Sequence, residues 1–204
     1  MIPVTCTLLP VVGGLGLPDV PPRSAAAIIL TAPGLSTIVN AIVGARRIFQ
    51  RILSYVHYRI AMTLDIIGRQ DQSLPLYQDV MKKEPNNIVA LNNVAYILAE
   101  DGKDLDQALT LAQRAKQQAP NNDDITDTLG LIYVKKNLTD NAISLYLDLV
   151  KRQPNNPLYH YHLGMAQLQK GNRAAARQSL QTALQLKPSK QDELRIRELM
   201  GKAS

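Results

Sequence analysis

Asp123, Asp124 and Asp127 crowd into five residues, and paired carboxylates are the first place to look for acid–base chemistry. They stand at the start of a helical stretch, where carboxylates stabilise the positive end of the helix dipole. Asp104 and Asp106 stand in the same relation to another helix start, so both groups have a role that needs no catalysis. The histidines are His57, His160 and His162. On a helix His160 and His162 diverge by about 200° and cannot grip one ion together, so packing or surface roles are expected. Cys6, the single cysteine, excludes an intramolecular disulfide and a thiolate metal cluster. Too little hydrophobic sequence precedes it for a lipoprotein acceptor. The Gly-rich "VVGGLGLP" has neither the lysine nor the helical continuation of a phosphate-cradling loop and reads as a flexible tail. There is no Gly-x-Ser-x-Gly elbow and no His-Glu-x-x-His. The expectation is a protein without catalytic residues, cofactor or metal.

The bulk numbers agree with that. Of 204 residues 46% are hydrophobic, enough for a real core, but only 4% are aromatic, with no Trp and a single Phe49. The core is therefore expected from Leu, Ile, Val and Ala, which suits close helix packing. Net charge is +6, which raises the question of nucleic acid. The excess is spread out: Arg23, Arg46, Arg47 and Arg51 face only Asp19 in the first 54 residues, and the rest holds 19 basic against 16 acidic side chains. No stretch interleaves basic and aromatic residues. A solvated, mildly basic surface is expected, and no nucleic-acid partner.

The elements that would position any site are set by a repeat. "PNN" stands at Pro85–Asn87, Pro120–Asn122 and Pro154–Asn156, and prolines fall at 85, 120, 154 and 188. Aligned on them, Ile60, Val94, Leu129 and Leu163 form a bulky column, followed at once by Ala61, Ala95, Gly130 and Gly164. Ser73, Ala108, Ala142 and Ala176 form a second small column, and Tyr77, Ala112, Tyr146 and Leu180 a larger one. Apolar residues recur at three- and four-residue steps in two stretches per unit, which predicts two helices. Gly68, Gly102, Asn137 and Gly171 divide them, residues that tolerate the left-handed end of a helix. The proline stops the second helix, and an asparagine caps the next first helix. Small residues on both helices let them approach near the short end of the usual interaxial distance of roughly 8–10 Å.

This pattern resembles the tetratricopeptide repeat, a 34-residue helix–turn–helix unit with small residues in both helices and a proline near its end. The resemblance covers about Ser54 to Lys190. It is carried best by "TLGLIYVKKNLTDNAISLYLDLVKRQP" and "HLGMAQLQKGNRAAARQSLQTALQLKP", and the units look bacterial in type. The first unit departs from the pattern: Ser73 replaces the usual alanine, and Pro75 sits early in its second helix. What the resemblance implies is an all-α, right-handed superhelical solenoid of four repeats, at about 54–87, 88–122, 123–156 and 157–190. Residues 191–204, with "QDELRIRELM", are expected to cap the last unit's open face, as arrays of this kind require.

The beginning differs. Residues 1–35 are rich in Pro and Gly and read as disordered or extended. Ser24 to Ala45 then runs without a charge before Arg46 and Arg47, a length that could cross a bilayer with the repeats on the cytoplasmic side. Pro33–Gly34 and several hydroxyl residues interrupt it. The rival reading is an N-terminal helix over 36–54 with an apolar stripe of Ile38, Ile42, Ala45, Phe49, Ile52 and Val56, capping the first repeat.

In the resembled family the first helices line a concave groove that holds a partner's peptide. Carried onto this chain, the groove comprises Tyr55, Tyr58 and Met62, then Asn92, Asn93 and Tyr96, then Asp124, Asp127 and Leu131, then Leu158, Tyr161 and Met165. Tyr and Met would give adaptable apolar contact, and Asn would pair with a peptide backbone. The basic carboxylate clamp of chaperone-binding members is missing, since Tyr58, Met62, Asn93, Asp124 and Thr128 stand at its places. The expected function is a non-catalytic, cytoplasmic scaffold for a protein or peptide partner. The alternatives are a membrane-tethered assembly factor for an envelope or secretion complex, and the regulatory part of a larger enzyme.

Overall fold

The computed structural model describes residues 35–203. The Pro/Gly-rich segment expected over 1–35, apart from Leu35, lies outside the described residues, as do Cys6 and the first half of the charge-free run 24–45. Among the described residues there are nine helices and no strand: α1 Leu35–Ile66, α2 Gln70–Lys83, α3 Ile88–Asp101, α4 Leu105–Gln118, α5 Asp123–Lys135, α6 Thr139–Arg152, α7 Pro157–Gln169, α8 Arg173–Gln185 and α9 Lys190–Lys202. No helix among them is long and apolar enough to cross a membrane. The chain divides into two compact units at Arg46, inside α1. The described part of the first, Leu35–Arg46, is the start of α1 and exposes Ile38, Val39, Ile42 and Val43. The second unit, from Arg47, holds the rest of α1 and α2 to α9.

A helix over 36–54 does not form as a separate element, because α1 runs without interruption through Ser54 into the first helix of the first repeat. Physically, nothing between Gly44 and Gly68 breaks a helix, so the expected stop at Ser54 has no residue to enforce it. In the second unit the helices pair antiparallel, and the tightest packing is α3 on α4, α5 on α6 and α7 on α8.

The starts and stops follow the repeat. Asn87, Asn122 and Asn156 accept from the backbone N–H of Ala90, Ile125 and Leu158 at 3.0, 3.1 and 3.0 Å. Each satisfies one of the free donors that every helix start leaves, worth about 1 kcal/mol per cap. Asp104 caps α4 in the same way through Gln107 N–H at 3.1 Å. The dividing residues adopt the left-handed conformation, with φ of 66° at Gly102 and 61° at Asn137. Pro75 lies beyond the first turn of α2, further in than its sequence place suggested. It is solvent-exposed, so the helix hydrogen bond it removes is lost at the wet face.

Close approach is built on the two small columns, and their partners are specific. A Cβ on Gly130 would lie 2.6 Å from Tyr146 Cζ, and one on Gly164 would lie 2.7 Å from Leu180 Cγ and 3.2 Å from the Ala176 carbonyl oxygen. The bulkier column of the second helix thus fits over the bare backbone of the first. The core is not purely aliphatic, contrary to the composition-based expectation. Tyr77, Tyr146 and Tyr159 are buried in it. Two of these hydroxyls find acceptors: Tyr77 donates to Asp65 Oδ2 at 2.8 Å and Tyr146 to the Asp127 carbonyl at 3.1 Å. A buried tyrosine needs such a partner to offset the loss of water.

The first unit's departures from the pattern explain each other. Asp65 stands where later units have Ala99, Val134 and Leu168, and Ser73 where they have alanine. The Ser73 hydroxyl donates to the Asp65 carboxylate, so two polar residues replace one apolar contact together. At the other end α9 packs on α8 and α7. It places Ile196 in a cluster with Tyr161, Leu180 and Ala183, and Arg177 Nη2 donates to the Ala203 carbonyl at 2.9 Å.

Two outcomes test this packing. Gly130→Ala pushes a methyl group into a fully buried ring and should cost about 1–3 kcal/mol in urea unfolding, while Gly201→Ala, with open space around it, should be neutral or slightly stabilising. Equal midpoints for Gly130→Ala and wild type would remove the close-approach account. Deleting residues 191–204 should speed hydrogen exchange across 157–188; unchanged protection there would show that α9 is not a cap.

Candidate peptide-binding groove

The groove residues sit on α1, α3, α5 and α7, each of which keeps positions i, i+3 and i+7 on one face. Their depths differ along the array. On α1, Tyr55 is exposed and Tyr58 half-buried, with ring centroids 6.3 Å apart and planes tilted by 59°. Tyr58, Met62, Tyr96 and Met165 all rest against one buried cluster built on α1 to α5. Asn92 and Asn93 on α3 are half-buried. Burial, with Glu100 nearby, pushes the Tyr96 hydroxyl up to about 12, so it remains a neutral donor at all ordinary pH.

Beside the tyrosine pair lies a surface recess of about 530 Å³ lined by Arg51, Ser54, Tyr55, Tyr58, Glu84, Asn87 and Val89. Two buried side-chain oxygens have no partner among the described residues, Ser54 Oγ, from the lining of the recess, and Asn92 Oδ1 on α3. Leaving such an atom unpaired costs about 1–3 kcal/mol, a cost that a bound donor would remove. Below them α1 is fastened to α2 by His57 Nδ1, 2.8 Å from Asp79 Oδ2. Lys83, and after it His57, hold the Asp79 carboxyl below its ordinary value.

The other half of the set is deeper. Leu131 is 2% exposed and Asp127 and Tyr161 are each 8% exposed, so these three are interior residues. Asp127 Oδ1 lies 2.6 Å from His162 Nδ1, which ties α5 to α7. Tyr146 and Tyr161 flank that imidazole with centroids at 5.5 and 5.1 Å. Tyr161 itself packs under α9. Asp124 is exposed, and Leu158 and Met165 are half-buried. His160 turns away from His162, its Nε2 lying 2.8 Å from the Pro154 carbonyl oxygen.

Sequence reasoning thus missed the Asp127–His162 pair, the recess, and the unpaired atoms of Ser54 and Asn92. The recess carried only part of a signal: Tyr55 and Tyr58 of its lining were read from the repeat alignment, whereas Arg51 precedes the stretch that the alignment describes and Ser54 stands at its edge. The pair carried a weak one: an Asp and a His about one repeat apart are placed on adjacent first helices. Among the described residues no group of three His, Cys, Asp or Glu side chains is placed to hold a metal.

Comparison with known proteins bears on two parts of the chain. Residues 128–190 match the family model of the tetratricopeptide repeat. TTC0263, a thermophilic TPR protein of Thermus thermophilus, has a TM-score of 0.63 at 23% identity, covering 74% of this chain and 80% of its own. MamA from Desulfovibrio magneticus RS-1 gives 0.55 at 19% identity, covering 74% and 93%. The curated relatives are of another kind. The plasma membrane ATPase of Dunaliella bioculata is 64% identical over 44 residues, which is 22% of this chain and 4% of that protein. Plasma membrane ATPase 1 of Saccharomyces cerevisiae is 54% identical over 44 residues, 22% of this chain and 5% of its own length. The chain therefore spans only a small fraction of the curated relatives it matches. With a family model on residues 128–190 and solved structures aligned over three quarters of the chain, the paired helices have the fold of tetratricopeptide-repeat arrays, and residues 128–190 match that repeat family itself.

Proposed function

We propose that the array is a non-catalytic scaffold that holds a segment of a partner protein along its first helices, entered at the α1–α3 end. The observation that carries this reading is the unpaired Asn92 Oδ1 in the same stretch of first helices as the Tyr55–Tyr58 pair. A peptide backbone N–H supplies the donor that this oxygen lacks, and the tyrosines offer amphipathic contact at low entropic cost. The buried half of the set, Asp127, Leu131 and Tyr161, acts by holding α5 and α7 in place and not by touching the ligand. The partner segment then has apolar side chains for the tyrosines, with amide or basic groups over the exposed Asp124.

Affinity capture with the full chain as bait, followed by titration of the partner fragment, tests this. Tyr58→Ala and Asn92→Ala should each weaken binding by about 1–2 kcal/mol, with unfolding midpoints close to wild type. Tyr161→Ala should instead lower stability. Lys151→Ala, on an exposed position of α6, should leave affinity unchanged; if it matters as much as Tyr58, the ligand lies elsewhere on the array.

A second reading places the scaffold at a membrane, or makes it the regulatory part of a larger membrane enzyme. What supports it is the 44-residue likeness to plasma membrane ATPases. Cell fractionation distinguishes the readings: a wholly soluble pool favours the cytoplasmic scaffold, and a membrane pool favours the second.

A further inference from the structure

The first helix of the first unit does not begin where the others do. Aligned on the bulky column, Arg51 falls at the place of Pro85, Pro120 and Pro154, the turn prolines of the later units. α3, α5 and α7 start just after those prolines, whereas α1 starts at Leu35 and passes straight through. Its extra turns supply one wall of the recess beside the tyrosine pair. Arg51, Ser54, Tyr55 and Tyr58 line it from α1, on one side of the helix within an arc of about 100°. Glu84 and Asn87 from the turn between α2 and α3, and Val89 from the start of α3, complete the lining. All seven belong to the second unit.

The chemistry of that lining is unused within the chain. Arg51 and Glu84 stand on different elements of one recess, and neither makes an ion pair among the described residues. Glu84 is nevertheless held in place, because its Oε2 accepts from Asn87 Nδ2 at 3.0 Å and Asn87 is itself fixed by its cap on Ala90 N–H. Its Oε1 is left open. Ser54 is 3% exposed, and its hydroxyl has no partner. Tyr55 and Val89 are exposed, so apolar surface borders the charged groups.

Charge selects the occupant. A simple anion would meet the Glu84 carboxylate, and a simple cation would meet the Arg51 guanidinium. A ligand that answers both walls carries one group of each sign on a short frame, with an apolar part for the tyrosines. The volume of about 530 Å³ lies within the roughly 300–1,000 Å³ of small-molecule sites. We propose that the recess binds a free α-amino acid with an apolar side chain. Its carboxylate is held by the Arg51 guanidinium, a charge-assisted contact, and by the Ser54 hydroxyl. Its ammonium group is held by Glu84, and its side chain lies against Tyr55, Tyr58 and Val89. This goes beyond the scaffold reading, since it needs no partner protein.

The test is calorimetric titration of the full chain with three probes: L-leucine, N-acetyl-L-leucine, which lacks the ammonium group, and L-leucinamide, which lacks the carboxylate. L-leucine should saturate one site, and each derivative should bind on the order of tenfold more weakly, because each leaves one charged wall unanswered. Arg51→Gln should bring L-leucine down to the affinity of L-leucinamide, and Glu84→Gln down to that of N-acetyl-L-leucine. Unfolding midpoints of both variants should match wild type, since neither side chain is buried. Ser54→Ala should weaken binding with no loss of stability, because the hydroxyl it removes is unpaired. Lys151→Ala should change nothing. The proposal is overturned by L-leucine failing to saturate at millimolar concentration. It is also overturned if N-acetyl-L-leucine binds equally well, which marks a plain anion site, or if L-leucinamide does, which marks a cation site. Full affinity in Arg51→Gln or Glu84→Gln overturns it as well. These titrations use no partner protein, so failure here is seen separately from failure of the peptide reading.

Discussion

The array depends on how closely two helices can approach where one of them has almost no side chain. Gly130 under Tyr146 and Gly164 under Leu180 leave no room for a methyl group. That contact sets the spacing within each pair, and the spacing decides which flanking residues reach the neighbouring unit. Leu129 and Leu163, one residue before each glycine, are buried against the preceding repeat. The bulky and small columns are therefore one device: the small residue brings the pair together, and the bulky one locks it to the pair before. Side chains in such an interior are as densely packed as in a crystal, so a single added carbon has nowhere to go.

Polar groups inside the array are tolerated only where they answer one another. Asp65 and Ser73 break two apolar columns, yet each is the other's partner, and Tyr77 adds a second donor to the same carboxylate. Asp127 and His162 do the same between α5 and α7. A buried carboxylate without such company would cost several kcal/mol, which is why these residues come in sets. Against that background the unpaired oxygens of Ser54 and Asn92 stand out. They lie on the first helices α1 and α3.

Much of this was legible from residue types and spacing. Asn87, Asn122 and Asn156 cap helices as their place after a proline requires, and Gly102 and Asn137 end them in the left-handed conformation. Such features are local, fixed by a few adjacent residues, and so they survive without knowledge of the tertiary fold. Depth was not legible. Alignment put Asp127, Leu131 and Tyr161 on the groove face, but a face is a direction and burial depends on what else arrives there. For Tyr161 that was α9, and for Asp127 it was His162 from the next repeat. The continuity of α1 through Ser54 was hidden as well, because the repeat alignment imposed a boundary where the backbone chemistry has none.

The two ends of the array are unlike, and that bears on what it can build. Open-ended polymerisation of a repeat protein needs two mutually complementary ends, each copy adding its tail to the head of the next. Here α9 packs over the last unit with Ile196 inside the fold and charged residues outward, while among the described residues the face of α1 stays uncovered. Two such ends are not complementary, so the outward charged face of α9 in one copy offers no apolar seat for the α1 of another.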